Sequence, residues 1–275
     1  MIKRKAILLT LLCLLLFLTA CSGKEKEHMD YLVLLGEEPS HIEAFPDCDV
    51  LVIDGEYFSA EDVKYLRAKG VKKIYSYFNI GSLENFRDYY DTFSESTLGE
   101  YENWPEEKWM DVSDESWQRF LLESAEQIAQ KGFDGFFVDN TDVYYQYPSD
   151  EIYQGILNIL TDLHGLEKDI IINGGDCFVK EYLESGDAID GMITGINQEE
   201  VYTCYDFAQN RCGLQNQDTR DYLLEYLELA EQNGIKIYVL EYAKERKLAE
   251  GAEAYAREHG WTCYVADHIE LRLHE

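Results

Sequence analysis

Short apolar runs alternate along the chain with longer stretches in which apolar residues return every three or four positions. The runs are "YLVLLG" from Tyr31, "DVLVID" to Asp54, "KKIYSYF" to Phe78, "GFFVD" to Asp139, "DIIING" to Gly174, "GMITGI" to Ile196, "KIYVLEY" to Tyr242 and "TCYVAD" to Asp267. They are nearly continuous rather than alternating, which predicts strands covered on both faces, as in a parallel sheet. Between most of them lie helical patterns: "SAEDVKYLRAKG", "SDESWQRFLLESAEQIAQKG", "SDEIYQGILNILTDLHG", "DTRDYLLEYLELAEQNG" and "KERKLAEGAEAYAREHG". Ser59, Ser113 and Ser149 stand where N-caps belong, and Gly70, Gly132, Gly165, Gly234 and Gly260 where the helices must stop. This rhythm predicts an α/β protein: a single (β/α)8 TIM-type barrel over residues 30–275, with a doubly wound sheet as the alternative.

One interval breaks the rhythm. Residues 79–117, after the third run, are far longer than an ordinary βα loop, and they carry two tryptophans with several tyrosines. A loop so rich in aromatic residues predicts a folded flap over the strand ends rather than a disordered linker.

The first twenty residues stand apart. Lys3, Arg4 and Lys5 precede an apolar run from Ala6 to Phe17, and "LTAC" ends at Cys21. The run is short for a membrane span and has the layout of a secretory signal. "LTAC" resembles the bacterial lipoprotein signal, which implies a lipid on Cys21, a polar tether over residues 21–29 and an extracytoplasmic domain held to the cell membrane.

Charge narrows the partners. The chain carries 24 basic and 54 acidic residues, a net charge of −30 that becomes −33 once the three leader cations are removed. Nucleic acid is excluded as a ligand by sign, whereas a cationic polymer is drawn toward such a field. The histidines are scattered, and neither "HExxH" nor "CxxC" occurs, so neither metal nor cofactor is expected. Of the five cysteines left beyond Cys21, Cys204 and Cys212 are closest in sequence and are the candidate disulfide in an oxidising location.

In a TIM-type barrel the C-terminal strand ends face the active site. There the sequence places Asp54, Tyr77, Asn79, Asp139, Asn140, Asn173, Glu199 just past the sixth strand with Glu200 beside it, Glu241 and Tyr242; Asp142 and Tyr144, Tyr145 and Tyr147 follow the fourth. Carboxylates, amides and rings, without a nucleophile–histidine pair, are what glycoside cleavage uses: one acid protonates the leaving oxygen and another stabilises or attacks the oxocarbenium-like centre. A non-catalytic surface lipoprotein that binds polysaccharide through the same mouth is the alternative.

The motifs "VLVID", "YSYFNIGSLENFR", "EKWMDV", "GFDGFFVDNTDVY", "IIINGG", "GINQEEVY" and "IYVLEYA", in this order from Tyr31 to Asp267, resemble the endo-α-1,4-polygalactosaminidases of glycoside hydrolase family 114, especially their bacterial and archaeal exported branch. The resemblance implies a (β/α)8 barrel with catalytic acids at Asp139 and at Glu199, Glu200 being its neighbour in the same motif. It further implies that Asp54, Tyr77, Ser82, Glu84, Trp109, Asp111, Asn140, Asp142, Asn173 and Tyr242 line or support the pocket. The implied substrate is an α-1,4-linked galactosamine or N-acetylgalactosamine exopolysaccharide of the kind found in biofilms. "FFVDN" and "QEEVY" depart from the characterised enzymes, which have Pro or Glu near the first acid and Cys after the second.

Overall fold

A computed structural model of the chain describes residues 28–102, 104–186 and 188–273. The expected signal, Cys21 and most of the tether lie outside these residues.

The apolar runs become β1 (Met29–Leu34), β2 (Cys48–Ile53), β3 (Lys73–Asn79), β7 (Gly135–Asp139), β8 (Asp169–Asn173), β9 (Gly195–Glu199), β12 (Lys236–Tyr242) and β13 (Thr262–Ala266). They form one eight-stranded parallel sheet in the order β1-β2-β3-β7-β8-β9-β12-β13. β13 returns against β1, and just beyond them the Gly36 N–H donates to the Leu271 carbonyl at 3.3 Å. The result is the (β/α)8 barrel that the alternation predicts. Its register sets Asn79 opposite Asp139 and Asn173 opposite Asn197, which brings the polar ends of these strands to one level.

The helices are α1 (Ala60–Lys69), α2 (Tyr90–Phe93), α3 (Glu115–Gln130), α4 (Val143–Gln146), α5 (Asp150–Gly165), α6 (Asp176–Glu184), α7 (Gln217–Gln232) and α8 (Arg246–His259). Ser59 caps α1 in a reciprocal capping box with Asp62, and Ser149 caps α5. Ser113 does not cap α3. Asp114 does, accepting from the Ser116 N–H. The sequence pattern also misses α6, whose N-cap is a left-handed Gly175 with no side-chain acceptor to announce it.

Residues 79–117 are folded as expected. β4 (Ser82–Glu84), β6 (Glu107–Met110) and β5 (Thr97–Glu100) make a three-stranded antiparallel flap in that spatial order. Fully buried Trp117 fastens it, donating from Nε1 to the Ile80 carbonyl at 2.9 Å amid Tyr89, Phe93 and Phe120. The flap also approaches the barrel backbone directly: a Cβ on Gly81 would lie 1.8 Å from the Asn140 carbonyl oxygen.

Two local expectations fail for physical reasons. "GMITGI" is apolar, yet β9 starts only at Gly195 and runs on through Asn197 and Gln198, so Glu199 is its last residue rather than a loop residue. The barrel interior turns polar toward the mouth, and a strand entering it does not stay apolar. β10 (Thr203–Asp206) and β11 (Arg211–Leu214) pair as a hairpin. Within it Cys204 faces Gly213 and Cys212 faces Tyr205, so the two cysteines project from opposite faces. Both thiols are free.

Candidate functional site: a shared amide between two acids

Asp139 ends β7, Asn173 ends β8 and Glu199 ends β9. The Asn173 side-chain nitrogen lies 2.9 Å from Asp139 Oδ1 and 2.9 Å from Glu199 Oε1, so one amide group donates to both carboxylates. The two hydrogens of a planar amide diverge by about 120°, which sets these carboxylate oxygens roughly 5 Å apart.

The amide is aimed by a chain of hydrogen bonds across the barrel interior. Tyr31 on β1 donates to Asn197 Oδ1 at 3.0 Å, and Asn197 Nδ2 donates to Asn173 Oδ1 at 2.7 Å. With its oxygen occupied from behind, Asn173 presents its NH₂ to the acids. Both Tyr31 and Asn197 are fully buried, so no water replaces a missing member cheaply. Neither was among the candidates from the sequence, although Tyr31 opens the first apolar run and Asn197 directly follows the sixth.

The two acids differ in their other partners. Asp139 is stabilised as an anion by Asn173, the Asn140 backbone N–H and the Tyr77 hydroxyl, while burial pushes its pKa up. Glu199 is also pushed up by burial; it accepts from the Tyr242 hydroxyl at 2.6 Å and from Asn173, and the nearby Asp139 charge raises it further. Asp139 is therefore better placed to stay ionised and Glu199 to hold a proton.

Neighbouring Glu200 takes a different direction. It sits in a left-handed conformation (φ 59°), and its carboxylate accepts from the Tyr205 N–H of the β10–β11 hairpin; burial pushes it to about 7. Glu241 is turned from the mouth. Its Oε1 accepts from the Tyr202 N–H and its Oε2 from the Thr203 N–H, both at 2.8 Å, and Thr203 Oγ1 donates to Oε2 at 2.5 Å. It thus ties the hairpin to β12 instead of facing a ligand.

Asn79 and Asn140 serve the flap. Asn140, left-handed at φ 64°, donates to Asn79 Oδ1 and Ser82 Oγ at 3.1 Å each and accepts from the Tyr101 hydroxyl at 3.0 Å. Asn79 donates to Ser82 Oγ at 2.7 Å and accepts from the Ser82 N–H at 3.0 Å. Both amides thus lock β4 onto the barrel. Trp109, on β6 of the flap, is buried and stacks on Tyr101 at 4.0 Å between ring centroids. Asp111 caps its own turn through Ser113 and lines a separate pocket with Pro148 and Ile152.

The Tyr77 hydroxyl lies between Glu84 Oε1, at 3.4 Å, and Asp139, and its single proton serves one of them at a time. Burial pushes Glu84 to about 7 even though Arg87 donates to its Oε2 at 2.5 Å. Arg87 was not singled out by the sequence, yet it is the buried centre of an ion cluster, 2.9 Å from Asp54 and 3.1 Å from Glu56 as well. Glu107 lies opposite Glu84 across β4 and β6; burial raises it to about 8, and Ser82 Oγ donates to it. Asp142 accepts from the Gly175 N–H at 3.3 Å, and burial raises it to about 7. The tyrosines after β7 diverge: Tyr144 packs on Tyr153 and Phe178, Tyr147 lies against Gly99 of the flap, and Tyr145 is exposed.

Among the described residues, the one group of potential metal ligands is His28, Asp30 and Asp49. Asp49 there is paired with Lys72 at 2.7 Å, and the acids of the mouth do not belong to it.

Among curated proteins, none matches this chain by sequence. Solved structures do match. The glycoside hydrolase domain of PelA from Pseudomonas aeruginosa is 19% identical with a TM-score of 0.70, the match covering 90% of this chain and 96% of that one. Ega3 of Aspergillus fumigatus, solved in complex with galactosamine, is 16% identical with a TM-score of 0.68, covering 92% and 97%. A Thermus thermophilus α-galactosidase is 13% identical with a TM-score of 0.54, covering 89% of this chain and 59% of its own. These likenesses show the shared barrel. The sequence profile of Glycoside-hydrolase family GH114 matches residues 23–267, nearly the whole chain. The protein belongs to that family and is a glycoside hydrolase.

Proposed function

We propose that the protein is an extracytoplasmic hydrolase, anchored through a lipid on Cys21, that cleaves an α-1,4-linked galactosamine/N-acetylgalactosamine polymer with Asp139 and Glu199 as its catalytic pair. The observation that carries the pairing is the single Asn173 amide bonded to both carboxylates. The substrate class is supported by the family, by the galactosamine in the Ega3 complex, and by a net charge of −30 that suits a partly deacetylated, cationic chain.

A separation of about 5 Å favours double displacement over direct attack by water, which needs roughly 6.5 to 9.5 Å. In the first step Glu199 gives its proton to the glycosidic oxygen while Asp139 attacks the anomeric carbon, forming a glycosyl ester as the leaving chain departs. In the second, Glu199 takes a proton from water, the water oxygen bonds to the anomeric carbon, and Asp139 leaves as carboxylate. Tyr242 donates to Glu199 Oε2 and Asn173 to Oε1, and together they orient the carboxyl for both steps.

The test is incubation of residues 30–275 with partly deacetylated polygalactosamine and with glucosamine polymers, reading new reducing ends and product masses. Asp139→Asn and Glu199→Gln should bind polymer and release almost no ends. Release of no ends by the unaltered domain from any polymer overturns the reading. Cleavage of glucosamine polymers alone overturns the substrate assignment. Incorporation of labelled fatty acid that survives Cys21→Ser overturns the anchor.

A further inference from the structure

Beside the mouth, between β2 and the flap, two large rings are more than half exposed: Tyr57 at 52% and Phe86 at 55%. They come from separate segments, one after β2 and one after β4. The guanidinium of Arg87 sits over both, 5.6 Å from the Tyr57 centroid and 5.2 Å from that of Phe86. Such contacts hold aromatic rings in place from one side.

Arg87 itself is 6% exposed and is fixed by Asp54, Glu56 and Glu84. Three carboxylates around one guanidinium leave the cluster net negative. Glu56 is its outward member, with 39% of its side chain accessible. Its Oε1 accepts from the Tyr89 hydroxyl at 3.2 Å, while its Oε2 meets Arg87 Nη1 at 3.1 Å but not in hydrogen-bonding geometry, and that nitrogen has no hydrogen-bond acceptor. Glu56 therefore keeps capacity for a further cation. Burial raises its pKa despite Arg87, which has the same meaning: the arginine does not fully compensate it.

A rigid pair of exposed rings on a buried, acid-held arginine is costly to maintain if it only faces water. We propose that Tyr57 and Phe86 form a distal subsite that stacks a hexosamine ring of the bound polymer, with Glu56 receiving the ammonium of that unit. The assignment rests on the proposed cleavage of an amino-sugar chain. The platform is linked to Asp139 through Arg87, Glu84 and Tyr77, and in this proposal a polymer held between the two acids extends over these rings.

The experiment compares kcat/KM for long, partly deacetylated polygalactosamine with that for the shortest oligomer cleaved. In the Tyr57→Ala/Phe86→Ala double variant this ratio should fall about tenfold through KM. Glu56→Gln should lower it for the deacetylated chain and not for the fully acetylated one. Tyr65→Ala, which removes an exposed ring on the outer face of α1, is the control. A ratio within twofold of the unaltered protein in the double variant overturns the subsite. If the unaltered protein cleaves no polymer, the functional reading fails separately; calorimetric titration with the same oligomers then decides the subsite, equal affinity of unaltered protein and double variant rejecting it.

Discussion

Replacing Asn173 by Ala removes the one donor that serves both acids. Each lost bond is 2.9 Å long and charge-assisted, the one to Asp139 in the resting enzyme and the one to Glu199 as it gives up its proton. Such bonds contribute about 1.5–3 kcal/mol apiece, and some relaxation by incoming water is expected. A net loss of about 3–4 kcal/mol at the transition state corresponds to a fall in kcat of roughly a hundred- to a thousandfold. KM should change little, because the amide holds the acids and not the sugar. Both carboxyl pKa values should rise, since the bond that lowers each has gone, and the acid limb of the pH–rate profile should move up. Asn173→Asp keeps the shape and separates chemistry from folding: it should be nearly inactive at neutral pH, where a third carboxylate stands between the two, and recover in part at low pH. Steady-state kinetics on polymer, with melting temperature as a control of folding, checks both variants. A folded Asn173→Ala that retains kcat within fivefold of the unaltered protein refutes the coupling of the acid pair through this residue.

Three other outcomes follow from the geometry. NMR of the first product formed should show the anomeric configuration of the substrate, and initial inversion contradicts the separation of about 5 Å. Glu107 is raised to about 8, and Glu84, Asp142 and Glu200 to about 7, so between about pH 4.5 and 8 the folded state binds more protons than the unfolded chain. Stability is then fully present below that window and falls as pH rises through it: melting temperature should be lower at pH 8 than at pH 5, and Glu107→Gln should flatten the dependence. A melting temperature that climbs with pH opposes this. Finally, Gly81→Ala drives a methyl group into the Asn140 carbonyl, which cannot move aside, and should cost about 2–3 kcal/mol while exposing the flap to limited proteolysis. Proteolysis at the unaltered rate would show that the flap does not depend on that approach.

The barrel is legible in the sequence because its determinants are local: continuous apolar runs, caps such as Ser59 and stops such as Gly70. The two acids are legible as well, Asp139 as the charged end of an apolar run and Glu199 three residues past another. What the sequence conceals is direction. Glu199 and Glu200 are adjacent and alike, and only the left-handed backbone at Glu200 sends one to Asn173 and the other to the hairpin. Asn79, Asn140 and Glu241 have the residue types of a sugar site, yet their partners are backbone and side-chain groups of the flap and hairpin. Those insertions carry no strong periodicity, so nothing in the chain says which groups they will need. Arg87 is concealed for a similar reason: a lone arginine in a polar loop reads as solvated until Asp54 and Glu84 close around it.

The chain from Tyr31 through Asn197 to Asn173 joins residues 166 positions apart in sequence. Tyr242, which holds Glu199 from the other side, is added later still, near the end of the barrel. During synthesis, then, Asp139 emerges well before Asn173, Glu199 and Tyr242, and a chain truncated before β12 would keep the shared amide but leave Glu199 without the Tyr242 hydroxyl. Full competence to act on sugar is thereby tied to closure of the ring: the amide is aimed by a residue of the first barrel strand and Glu199 is held by one of the seventh, so activity can serve as a reporter of complete folding.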